Sequence, residues 1–90
     1  MRHLILPALL LATSAHASTE EAWAEMRADV AARCRALLPD GAAATIEVNP
    51  FGSERFAAAL VTVQAGDRVE RSICIYDKQT GAAELTTPFD

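Results

Sequence analysis

The two cysteines constrain the fold of this chain more than any other feature. Cys34 and Cys74 stand 40 positions apart, Cys34 near the centre line of a helical stripe and Cys74 at the middle of a strand-like run. Residues 68–78 are rich in β-branched and aromatic side chains. Turn signals, Ala65-Gly66-Asp67 and Gln79-Thr80-Gly81, bound them on both sides. They read as a strand joined by short hairpins to a neighbour on either side. Alternation puts Ser72, Cys74 and Tyr76 on one face and Val69, Ile73 and Ile75 on the other. Both faces are apolar enough to need a cover.

Cys34 belongs to a helical pattern. Trp23, Met26, Val30, Cys34 and Leu37 recur every three or four residues and form a narrow apolar stripe. Ser18 with Glu21 fits a capping box, with Thr19 as a second candidate cap, and Pro39 stops the helix at or just before Leu38. Glu20, Glu21 and Glu25 near the start and Arg33 and Arg35 near the end suit the helix dipole. An aromatic and a methionine at helical spacing are read as core, not as ligand contacts.

The compartment decides whether the cysteines pair. Met1-Arg2-His3 is a basic start, residues 4–12 are an apolar run, and Ala15-His16-Ala17 supplies a small-x-small cleavage signal. Residues 1–17 therefore read as a secretory signal peptide cleaved after Ala17. The run is too short for a span, which needs about 20 apolar residues, so no membrane attachment is expected after cleavage. Residues 18–90 are then one small domain, and the expected location is the periplasm. In an oxidising compartment the only intramolecular pairing is Cys34–Cys74. A redox-active pair would ordinarily be close in sequence, as in Cys-x-x-Cys, so this bond reads as structural.

The remaining strands follow from turn chemistry. Residues 45–49 alternate and form a first strand, broken by Asn49-Pro50-Phe51-Gly52-Ser53. Residues 56–64 form a second, residues 82–87 a fourth, and Pro88 leaves Phe89-Asp90 as a tail. The expected fold is α+β: one N-terminal helix packed on a four-stranded antiparallel meander and stapled by one disulfide. A two-residue loop before Arg68 would put Ala57, Ala59, Val61 and Val63 on the face of Cys74. A three-residue loop would put Phe56, Ala58 and Leu60 there. The sequence leaves that register open.

The residues present exclude several chemistries. Both histidines, His3 and His16, fall in the signal segment. The rest holds seven basic and twelve acidic residues, so no basic surface for nucleic acid is expected. Without histidine or a free thiol, the usual general base and cysteine nucleophile are missing, and no catalytic residue is assigned. Ser72 and Lys78 share a strand face but stand about 20 Å apart along it. The acidic residues are scattered singly, so no calcium loop, zinc site or other cofactor is expected.

One helix covers one side of the sheet. The other side, carrying Val69, Ile73 and Ile75, reads as an interface for a second copy or another protein. The opposing reading is that the sheet curls and partly buries it, or that Arg71 and the loop at 49–55 cover it. Phe51, an aromatic in that turn, joins the candidate interface, or else plugs the sheet edge.

The alanine-rich signal, the helical Trp23 and Cys34, the Asn49-Pro50-Phe51-Gly52 turn and the strand Ile73-Cys74-Ile75-Tyr76-Asp77-Lys78 followed by Thr80-Gly81 together resemble small exported proteins of alphaproteobacteria. The layout is also similar in kind to small periplasmic interaction modules and enzyme-inhibitor domains. Likeness of layout does not fix function; the uncovered sheet face and the short first and last strands lead to the expectation of a non-catalytic interaction or accessory protein. The alternative expectation is a small-ligand or metal-binding protein with a pocket between helix and sheet, where the alanines would leave room.

Overall fold

In the computed structural model, residues 19–89 are described. The expected signal segment and Ser18 as a cap lie outside them. Helix α1 spans Glu20–Arg35, and β1 (Ala44–Val48), β2 (Phe56–Ala65), β3 (Arg68–Asp77) and β4 (Ala83–Leu85) follow in chain order. The strands form one antiparallel sheet in the order β1-β2-β3-β4, a meander with α1 on one face. The α+β fold read from the sequence is the fold observed.

Thr19 caps the helix: its side-chain oxygen accepts from the Ala22 N–H at 3.0 Å. The far end differs from expectation. The α-helical pattern stops at Arg35, and Leu37 and Leu38 then bond back only three residues, to Cys34 and Arg35. The tightened turn re-aims the last side chains. Leu37 leaves the stripe and is exposed, while Leu38 packs against the core in its place.

A two-residue hairpin settles the register. Ala65 pairs with Arg68, and Gly66, with φ +67°, takes the first central turn position. Ala57, Ala59 and Val61 therefore lie opposite Tyr76, Cys74 and Ser72, beneath α1. Val30, Cys34, Ala57, Ala59, Val61, Cys74 and Tyr76 form the buried core, and Met26, Leu38, Ile46, Val48 and Leu85 pack around it. Cys34 and Cys74 are bonded, with Cα atoms 6.0 Å apart. The alanines of β2 have a clear use here. Larger side chains would hold the helix off the sheet, and alanines let its backbone approach closely enough for the bridge. The space between helix and sheet is occupied by Val30 and the disulfide, all fully buried.

A polar contact also ties the layers. The Tyr76 hydroxyl donates to Asp29 Oδ2, and Arg33 Nε lies 3.4 Å from Asp29 Oδ1. Arg33 also donates to the Gly81 carbonyl at 3.2 Å, fixing the helix to the turn before β4.

Candidate interaction face

The register that buries β2's odd positions turns Phe56, Ala58, Leu60 and Thr62 to the opposite face. There Ala58 pairs with Ile75, Leu60 with Ile73, and Thr62 with Arg71. No element covers this side among the described residues: α1 is the sole helix there and lies on the other face. Ile75 is 38% exposed and Val69 57%, while Leu60 and Ile73 are half-buried by their neighbours alone. A shallow hollow of about 260 Å³ lies over Ala58, where Glu47, Asn49, Pro50, Leu60 and Ile73 form its walls.

The rim is charged. Glu47 of β1 stands opposite Leu60, and Glu84 of β4 opposite Ile75, so carboxylates flank the apolar centre on both sides. At one end Arg55 lies over the Phe56 ring at 5.2 Å and within 4.0 Å of Asp77. At the other, Arg71 separates the centre from Val69.

Phe89, expected from the sequence to be a tail after Pro88, joins this face. Its N–H donates to the Arg71 carbonyl at 2.7 Å, in an antiparallel bridge. The register explains how it arrives. Between the Ile73–Thr86 and Arg71–Phe89 contacts, Thr87 and Pro88 together stand opposite Ser72 alone, a bulge of one residue. Without the extra residue Phe89 would take the parity of the helix-covered face. The strand does not run straight at Thr86 because its hydroxyl, rather than its carbonyl, accepts the Ile73 N–H. Pro88 after Thr86-Thr87 was the available signal, since a proline at a strand's end often accompanies such a break.

Val69, Ile73 and Ile75 thus share one face, as alternation required. Phe51 does not join them. Its ring meets Trp23 of α1 edge-on, with centroids 4.9 Å apart, on the helix side of the molecule. The loop is held there from several directions. Asn49 Oδ1 accepts from the Phe51 and Gly52 N–H groups. Lys78 Nζ donates to the Phe51 and Ser53 carbonyls at 2.9 and 2.6 Å and lies 5.2 Å from the Trp23 ring centroid. Arg27 donates to the Pro50 carbonyl. The loop at 49–55 therefore carries Phe51 over the start of the helix, while its two ends, Asn49-Pro50 and Arg55, only border the open sheet face.

Asp29 has its carboxyl held below the usual range, chiefly by the Tyr76 hydroxyl and then by Arg33, against some desolvation. The same bond, with burial, pushes the Tyr76 phenol up. This pair sits between helix and sheet and serves their attachment. Among the described residues no three His, Cys, Asp or Glu side chains are grouped to hold a metal, and no helix is long and apolar enough to cross a membrane. Comparison with protein-family models, curated proteins and solved structures finds no match to this chain.

Proposed function

We propose that the protein is an exported, non-catalytic interaction protein that docks a protein partner, or a second copy of itself, on the open face of its sheet. The observation that supports this is the contiguous apolar strip of Leu60, Ile73 and Ile75, with Ala58 as a dimple, left uncovered opposite the helix. Apolar surface rimmed by polar residues is the usual character of an interaction site. The carboxylates of Glu47 and Glu84 on both flanks favour a partner whose apolar ridge is bordered by lysine or arginine. For the small-ligand alternative, an open groove of about 410 Å³ lies between α1 and the turn before β4.

The test is a capture experiment with the protein exported to the periplasm of a bacterial host, where its mature N-terminus is read by intact mass. Wild type and Ile73→Asp are compared as baits under identical loading. Ile75→Lys provides a second variant whose new charge faces Glu84 and so leaves the sheet folded. Partners held by wild type and released by both variants are the expected result. Equal retention by all three proteins removes the face from consideration.

A further inference from the structure

We propose that the free edge of β1 pairs with β1 of a second copy of this chain, antiparallel about a two-fold axis at Ile46, joining two sheets into one of eight strands. The peptide groups of β1 divide between β2 and the free edge. Asn49 donates to the Ala58 carbonyl and Gln64 donates to the Ala43 carbonyl, both at 2.9 Å. In an antiparallel ladder this phase carries through the strand. Thr45 and Glu47 face β2, so Ala44, Ile46 and Val48 present N–H and C=O to the outer edge. Their side chains lie on the helix face and are only half-buried, whereas Ala59 and Val61 beside them on β2 are buried. The core is thus thinly covered along the same edge that carries the unused peptide groups.

The strand is complementary to itself in one register. Centred on Ile46, Ile46 meets Ile46 of the second copy and Ala44 meets its Val48, three hydrogen-bonded pairs that each exchange two bonds. All the helix-face contacts across the seam are then apolar. On the open face Thr45 lies opposite Glu47 of the second copy, so no like charges meet. A slip of two residues one way sets Glu47 against Glu47, and the other way pairs only residues 44–46. A slip of one residue puts the peptide groups out of phase and reverses the faces. The other edge does not compete. β4 is three residues long, and the bulge at Thr87-Pro88 ends it. Pairing of β1 with itself therefore closes as a dimer instead of propagating head to tail. Its axis stands normal to the sheet, so both helices stay on one side and the two open faces merge on the other. This inference stands independently of what docks on that face.

Two five-residue strands make a small interface, so association is measured on the exported, oxidised protein from about 10 µM to about 1 mM. Light scattering after size exclusion and sedimentation give the dissociation constant. Ala44→Pro removes an outward N–H at the first residue of an edge strand, where proline is tolerated. It should leave a folded monomer, with the Trp23 fluorescence of wild type. Thr45→Lys sets a lysine against Glu47 of the second copy and should tighten the dimer about fivefold, while Thr45→Glu loosens it comparably. A wild-type monomer at the highest concentration overturns the proposal. So does a dimer that survives Ala44→Pro; if Ile73→Asp abolishes that dimer, the contact moves to the open face and the partner-docking reading is kept. Should Ala44→Pro not fold, the Thr45 pair decides, and equal constants for the lysine and glutamate variants overturn the edge pairing.

Discussion

Breaking the Cys34–Cys74 bond should remove a large part of the stability of this domain. The bridge closes 40 residues of sequence. In the chain-entropy account a loop of that length raises the free energy of the unfolded chain by about 4 kcal/mol. A domain of this size has a total of about 4–10 kcal/mol to lose. Both sulfurs are fully buried against Val30, Ala59 and Val61, so their removal adds a packing cost. Two perturbations separate these terms. Reduction with a thiol leaves both sulfurs in place and removes only the crosslink, whereas the double variant Cys34→Ala with Cys74→Ala removes both. Urea unfolding followed by Trp23 fluorescence should show the reduced protein about 4 kcal/mol less stable, with a steeper denaturant dependence because its unfolded chain is less compact. The double variant should lose a further 1 kcal/mol or so. In thermal unfolding the crosslink alone should move the midpoint by roughly 15–30 °C. Superposable curves for oxidised and reduced protein would falsify the account, and the bond would then be incidental to the fold.

Tyr76→Phe leaves Asp29 with Arg33 alone, and the consequence depends on pH. Asp29 is depressed in the folded state, so its contribution is complete above the ordinary carboxylate range and lost as pH falls through its folded value. Tyr76 is raised, so its contribution holds below the ordinary phenol range and is lost as pH rises through its folded value. The stability gap between wild type and Tyr76→Phe should be widest between those limits and shrink toward both; a gap constant from pH 2 to pH 8 contradicts the assignment. Gly52→Ala should be far more costly than Gly66→Ala. Both glycines have positive φ, but a Cβ at Gly52 would stand 2.3 Å from the Phe56 carbonyl oxygen, whereas Gly66 has open space. Strain of about 1–3 kcal/mol applies to both, so equal losses in chemical denaturation would refute the close approach. Lys78→Ala should release the loop at 49–55 at a cost of about 1 kcal/mol, since these bonds are exposed. Trp23 emission should report it, and an unchanged spectrum would place the loop's hold elsewhere.

The fold was legible because each element carried a strong local signal. The stripe through Val30 and Cys34 marked the helix, β-branched residues between turn signals marked β2 and β3, and Ala65-Gly66-Asp67 marked a turn between them. The cysteine pair then named the face that meets the helix. Local signals failed where position depends on contacts remote in sequence. Phe51 and Phe89 look equivalent on paper, each an aromatic next to a proline in a turn or tail. Lys78 and Trp23 draw the first to the helix side, and a bulge opposite Ser72 brings the second to the open face.

The sequence by itself determined the elements, their order and the partner of each cysteine, because periodicity, turn residues and a single available pairing are local or combinatorial facts. Only the tertiary structure decided which half of β2 is buried and which residues complete the open face. A change of one residue in a loop or an edge strand reverses the side to which every following side chain points, and the packing of the whole sheet selects between the two.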